Sequence, residues 1–245
     1  MSTPMSQDRF YFYSFIGMAL LCLGGFVPSF FLRPQFFEAP LPVWMHIHGA
    51  LFTLWYFVAI LQAWLILKNK HVLHRELGVV AVLIVISGFI LTYVAVAYLT
   101  ATGQHVTGGA GFNIILTSAF TCCVVVGVYF RQQPEIHKRL MLMATALLTV
   151  PGFDRLIRNI VQPSVPSFTT KNAQMIVLVF GAAFVGLMIY RDISSGKRPS
   201  VGILIGFVCF LVGGTLGNLF IGTEMWAAMV ESFASSTAIA PPLPH

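Results

Sequence analysis

Residues 77–99 read LGVVAVLIVISGFILTYVAVAYL, a stretch without a charged side chain. A spanning helix needs about 20 mainly apolar residues, because each residue adds about 1.5 Å along the axis and the hydrocarbon core of a bilayer is roughly 30 Å thick. The stretch therefore predicts a transmembrane helix. The rest of the chain repeats the pattern of long apolar runs separated by short polar breaks.

The overall composition points to lipid as the solvent. Of the 245 residues, 57% are hydrophobic and only 9% are charged, whereas soluble domains carry about 25% charged residues. A soluble core cannot bury so much apolar surface. The net charge of +6 does not indicate nucleic acid, since the cations lie in short clusters between the apolar runs, as they do in the loops of multi-pass membrane proteins.

Seven stretches are long and apolar enough to cross a bilayer. They are residues 10–32, 48–67, 77–99, 110–130, 139–160, 173–190 and 201–222. Their short connections force consecutive helices to lie antiparallel and adjacent. The predicted fold is an all-α membrane bundle of about seven helices formed by residues 1–222. A short outer tail follows at 223–245, weakly amphipathic near its start and proline-rich at its end.

The distribution of Lys and Arg predicts an orientation. With the amino terminus in the cytoplasm, the inner side carries ten cations and the outer side carries four. The ten are Arg9, Lys68, Lys70, Arg75, Arg131, Lys138, Arg139, Arg191, Lys197 and Arg198, and the four are Arg33, Lys171, Arg155 and Arg158. Positive loops stay inside, so we expect a cytoplasmic amino terminus and an outer carboxy terminus.

The histidines divide into two groups at opposite ends of the predicted helices. His48 and His71 are separated by 23 residues, which correspond to roughly 34 Å, so one metal cannot bind both. The inner group contains His71, His74 and His137. The outer group contains His46, His48 and His105.

The inner pair has the sequence features of axial ligands. His74-Arg75 and His137-Lys138-Arg139 each open a long span on the same side of the bilayer, so their imidazoles can face each other across a haem. Arg75 and Arg139 would suit the propionates of that haem. Imidazole also binds zinc, copper and non-haem iron, so the ligands alone do not name the metal. Alternatively, basic residues at a membrane surface often only set the orientation of the helices and contact anionic lipid.

The outer group predicts a second candidate site. His46 and His48 with Asp154 form a chemically adequate ligand set for zinc, copper or iron. Helical residues two apart diverge by about 200°, so both histidines can bind one metal only if the helix starts after His46. Asp154 and Arg158 share a helix face, and with Arg155 they form either a structural ion pair beside the membrane surface or part of a pocket.

Gly213 and Gly217 form a small-xxx-small pair in the last span. Such a pair predicts close helix packing, either inside the bundle or against a partner subunit or second copy of the chain.

Three motifs carry a resemblance to known proteins: His46-Ile47-His48-Gly49, His74-Arg75-Glu76-Leu77-Gly78 and His137-Lys138-Arg139-Leu140-Met141. Over residues 8–160 the chain resembles a family of bacterial multi-pass membrane proteins that has no established activity. This resemblance implies the bacterial inner membrane.

The chain is more loosely similar to the transmembrane dihaem cytochromes b of the ascorbate-dependent ferrireductase type. That resemblance implies one haem b held by His74 and His137, and a second held by His48 with His105 or His46.

Three functions remain open at this point. The first is a haem b electron-transfer protein or reductase subunit, the second is a metal-dependent enzyme with an outer His/Asp site, and the third is a non-catalytic accessory subunit of a membrane complex. Whether the chain is an enzyme stays open.

Overall fold

The computed structural model describes residues 4–38, 40–101, 110–165, 167–196 and 198–238. Within these ranges the chain forms nine α-helices and one π-helical turn, and it contains no strand. The elements are α1 (Pro4–Phe26), the π-helical turn (Val27–Phe31), α2 (Arg33–Phe36), α3 (Val43–Leu67), α4 (His71–Ala101), α5 (Ala110–Tyr129), α6 (Pro134–Val161), α7 (Thr170–Ser194), α8 (Val201–Ile221) and α9 (Glu224–Ala238). The predicted all-α fold is confirmed.

Six helices are long and apolar enough to cross a membrane: α1 with the π-helical turn, α3, α4, α6, α7 and α8. The chain is therefore a multi-pass membrane bundle. The apolar part of α5 in the described residues is shorter, at Asn113–Tyr129, but α5 packs against α4, α6 and α8. The fourth predicted span, residues 110–130, corresponds to this helix.

Several helices begin earlier than the hydropathy pattern predicts. The predicted second, third and fifth spans start at residues 48, 77 and 139, whereas α3, α4 and α6 begin at Val43, His71 and Pro134. Hydropathy marks only the apolar part of a helix, and the polar first turn continues the same backbone hydrogen bonding. The five histidines that the structure describes consequently all lie within helices.

Local sequence explains where helices start and stop. Pro134 occupies the first turn of α6, where its missing N–H costs nothing. Asn69 adopts a left-handed conformation with φ of 55° and reverses the chain between α3 and α4. Thr169 and Asn172 form a capping box at the start of α7.

The core lies among α1, α3, α4, α5 and α6, with contributions from α7 and α8. Its few polar groups are paired across helices: the indole N–H of Trp55 donates to Thr145 Oγ1 at 3.3 Å, and the hydroxyl of Tyr56 lies 3.1 Å from that of Thr149. Such pairs between α3 and α6 satisfy polar atoms that lipid cannot hydrogen-bond.

The predicted tail is more ordered at its start than expected. Residues 224–238 form α9, which packs on α4, and its Trp226 is buried beside Val96 and Ala97. The proline-rich end at 241–244 lies outside the described residues.

Candidate functional site

His74 and His137 lie side by side at one end of the bundle. The first is in the opening turn of α4 and the second in the opening turn of α6. Their ring centres are 6.3 Å apart and their ring planes are nearly perpendicular, at 86°. Both side chains are half-buried. We call this the His74 end of the bundle; here α3 and α5 finish and α4 and α6 begin.

A backbone carbonyl fixes each of the two rings. His74 Nδ1 lies 3.3 Å from the carbonyl oxygen of Gln62 on α3, and His137 Nδ1 lies 2.8 Å from that of Gly127 on α5. A carbonyl only accepts, so Nδ1 is the protonated nitrogen in each contact. In the neutral ring, Nε2 then keeps its lone pair, which is the arrangement of a metal-binding histidine held by an outer hydrogen bond.

The position of Gly127 near a helix end explains why its carbonyl is available. The last four carbonyls of an α-helix lack partners within the helix, and α5 ends at Tyr129. The N–H of Arg131, which would serve Gly127 in a longer helix, donates to Val128 instead. His137 therefore caps α5 while it holds its own ring in place.

The surroundings of the pair contain an unused acceptor. Gly78 follows His74 by one helical turn, and a Cβ there would be in ordinary van der Waals contact with the Gln62 side-chain nitrogen, at 3.8 Å. The Gln62 Oε1 atom is buried and has no hydrogen-bond partner among the described residues. This unused acceptor fits a bound group beside the imidazoles.

The predicted role of Arg139 requires correction. Its guanidinium is buried and pairs with both Glu135 and Asp192, so it holds α6 to α7 rather than facing a cofactor. No sequence pattern predicts this contact, because Asp192 lies 53 residues away. Arg75, by contrast, is exposed at the start of α4.

The outer His/Asp metal site is not assembled. Because α3 already begins at Val43, His46 and His48 are both helical and diverge. The ring of His46 lies 5.8 Å from that of Phe30, while His48 lies 4.8 Å from Phe52. Within the described part of the chain, no three His, Cys, Asp or Glu side chains come together as metal ligands.

The three polar residues near the end of α6 divide into two environments. Asp154 pairs with Arg158 at 2.8 Å, which matches the structural ion-pair alternative. Arg155 does not join this pair; its guanidinium donates to the carbonyl of Pro151 at 3.0 Å and lies over the ring of Phe26. His105, the other predicted outer ligand, lies outside the described residues.

A cavity of about 310 Å³ lies at the opposite end of the bundle, which we call the His48 end. Its walls come from α1, the π-helical turn, α3, α4, α5 and α6, and they include His48 and Arg155. The sequence analysis offered a pocket near Arg155 as one alternative, and Arg155 lines this cavity, but the other walls were not predicted. The one local signal was Pro28 inside an apolar run, since proline disturbs regular helical hydrogen bonding.

The glycine pair of α8 is used inside the bundle. A Cβ on Gly213 would lie 2.7 Å from the backbone of Ala119, and one on Gly217 would lie 2.6 Å from Ser118 Oγ, so this face packs against α5. It is not available as the predicted docking surface for a partner or second copy.

The fold and the paired histidines define the chain as an all-α, multi-pass membrane bundle with a two-histidine site at one end. Comparisons with protein-family models, curated proteins and solved structures find no significant match.

Proposed function

We propose that the protein is a haem b-binding membrane electron-transfer protein in which His74 and His137 are the axial ligands. The observation that carries the proposal is the separation of their ring centres, 6.3 Å. A metal–nitrogen bond of about 2.0 Å, with about 1.1 Å more from that nitrogen to the ring centre, places two imidazoles on opposite sides of one metal roughly 6 Å apart.

The donor set favours haem over a protein-bound metal ion. Zinc and non-haem iron sites take three or four protein ligands, and no third ligand joins His74 and His137 among the described residues. Haem supplies four ligands itself and needs only two from the protein. The Gln62 Oε1 atom, which has no partner among the described residues, is consistent with such a group.

The residues at the site would tune the bound group in definite ways. Haem, when bound, supplies one-electron chemistry. His74 and His137 would hold the haem iron with two protein ligands, which favours electron transfer over reactions that need an open position on the iron. The carbonyls of Gln62 and Gly127 orient the rings and make Nε2 a stronger ligand.

We also place the protein in the bacterial inner membrane, as the family resemblance implies, and the charge count supports an orientation within it. Ten cations against four favour a cytoplasmic amino terminus. In that orientation the His74 end faces the cytoplasm, where a soluble electron donor or acceptor could reach it.

Absorbance spectra of purified variants test the haem assignment. We expect the wild type to show a Soret band and a sharp low-spin α band after reduction, and we expect His74→Ala and His137→Ala to lose the low-spin spectrum because each loses one axial ligand. His71→Ala is the matched control: His71 is an exposed residue of the same helical turn as His74, and its loss should leave the spectrum unchanged.

Size-exclusion chromatography of each variant separates ligand loss from unfolding. A monodisperse wild type without a Soret band would refute the proposal. So would a His74→Ala protein with an unchanged low-spin spectrum.

A further inference from the structure

The cavity at the His48 end is bounded on one side by an unusual backbone element. The π-helical turn Val27–Phe31 contributes Ser29, Phe30 and Phe31 to its wall. Single π-turns in α-helices occur frequently at functional sites. Phe30 packs so closely on α3 that a Cβ on Gly49 would lie 2.4 Å from its ring, so this glycine fits the turn against the bundle.

Two polar side-chain atoms on the cavity wall have no hydrogen-bond partner in the part of the chain that the structure describes. They are Ser29 Oγ and His48 Nδ1, and both are buried. Buried polar atoms in native proteins almost always have a hydrogen-bond partner. Serine offers a hydroxyl donor, and His48 can donate in the tautomer with its proton on Nδ1. Both atoms can therefore donate to an acceptor within the cavity.

The charge on the wall is positive. Arg155 lines the cavity, and it takes part in none of the ion pairs found among the described residues. Its neighbour Asp154 is already paired with Arg158. Arg33 brings a second guanidinium, and the described lining includes no carboxylate. Arg155 donates to the carbonyl of Pro151 and lies over the ring of Phe26, but neither contact neutralises its charge, so this wall favours an anion.

The remaining walls are mainly apolar, with Phe26, Phe52 and Leu147 among them. The volume of about 310 Å³ falls at the lower end of the range of small-molecule sites. A ligand that matches both the polar wall and the apolar walls has an anionic head that contacts Arg155, Ser29 and His48. Its apolar body contacts the remaining walls.

We propose that this cavity binds the carboxylate head of a membrane-soluble amphiphile, such as a long-chain fatty acid. Arginine binds carboxylates through charge-assisted hydrogen bonds, and a carboxylate has enough lone pairs for several donors at once. The inference does not depend on haem at the other end of the bundle, and either assignment can fail alone.

Binding of oleate to delipidated protein in neutral detergent tests the proposal. Isothermal titration should show one oleate per chain. Methyl oleate has the same chain without the charge, and it should bind roughly tenfold or more weakly, because a charge-assisted hydrogen bond is lost. Hexanoate should also bind more weakly, since it lacks the long apolar body. Equal binding of hexanoate would indicate a water-borne carboxylate instead and contradict the membrane source.

The variant Arg155→Gln tests whether the guanidinium of Arg155 binds the carboxylate. We expect its affinity for oleate to fall at least tenfold, because the carboxylate loses its cationic partner. Arg155→Lys keeps the charge and should retain more of the binding. Arg131→Gln, at an exposed position on the His74 end, is the control and should bind as the wild type does.

Several results would overturn the proposal. One is the absence of oleate binding to the wild type, and another is unchanged binding to Arg155→Gln. A third is a second haem per chain that is lost in His48→Ala, since that haem would occupy the cavity.

Discussion

At the scale of single residues, the ion pair between Arg139 and Asp192 joins α6 to α7. Their side chains are only 6% and 7% exposed. Arg139 also binds the side chain and backbone carbonyl of Glu135, and Asp192 accepts from the backbone N–H of Ser200 at 2.8 Å. The pair is therefore fully hydrogen-bonded, and it connects the start of α6 with the turn between α7 and α8.

We predict that Asp192→Ala lowers the free energy of unfolding by about 3–5 kcal/mol, because it leaves the buried Arg139 without its main partner. Denaturant-induced unfolding in mild detergent measures the effect. The double variant Arg139→Met/Asp192→Leu should recover most of the loss, since no charge stays unpaired. Lys138→Met removes the more exposed ion pair with Glu135, and this variant should change the free energy of unfolding by about 1 kcal/mol or less. A loss as large in the double variant as in Asp192→Ala would contradict this account.

The two histidine contacts show what residue-level reasoning could and could not predict. His74 and His137 were paired from sequence because each opens a span on the same side of the bilayer and so lies at the same depth. The carbonyls that hold their rings were not predicted, since they depend on where α3 and α5 end. The sequence predicts a cofactor role for Arg139 because this residue lies beside His137. Its ion pair with Asp192 was not predicted, because Asp192 belongs to another helix and no spacing rule connects the two residues.

At the scale of helices, α1 and α6 cross at backbone contact. A Cβ on Gly25 would lie 1.8 Å from the carbonyl oxygen of Gly152, and one on Gly152 would lie 2.5 Å from that of Cys22. Small residues let membrane helices approach this closely, and the approach stabilises them through van der Waals packing.

We predict that Gly25→Ala destabilises the bundle by about 1–3 kcal/mol or more, because the added methyl group forces α1 away from α6. Gly17→Ala on the same helix is the matched control: no atom lies within 4 Å of its Cβ position, and alanine favours the helix by up to about 1 kcal/mol. Thermal unfolding in detergent compares the two. Equal midpoints for both variants would show that the crossing is not tightly packed.

Helix existence could be predicted from the sequence far better than helix ends. Each apolar run corresponds to a helix, but α3 begins five residues before the predicted start at residue 48. Because of this earlier start, His46 and His48 lie on different faces of α3, and the predicted outer metal site does not form. The walls of the cavity could not be predicted from the sequence either, because they form only when five helices and the π-helical turn pack together.

At the scale of the whole molecule, the six candidate spans together with a crossing by α5 would give an odd number of crossings. An odd number places the two termini on opposite sides of the membrane. With the cation count, we therefore predict that the amino terminus lies inside and the carboxy terminus outside.

Fusions to reporter proteins check this orientation. We predict that green fluorescent protein fluoresces when attached to the amino terminus and stays dark at the carboxy terminus, because it folds only in the cytoplasm. Alkaline phosphatase attached at the carboxy terminus should be active. Fluorescence at both ends would mean that α5 does not cross or that another crossing is absent.

The central claim is that His74 and His137 hold one haem b between them, and an electron paramagnetic resonance spectrum of the oxidised wild type tests it most directly. Perpendicular imidazole planes interact with different d orbitals of the iron and keep them close in energy, so the angle of 86° predicts a strongly anisotropic low-spin ferric signal. We expect one such spin per chain. A high-spin signal, or no haem signal from folded protein, would contradict the account.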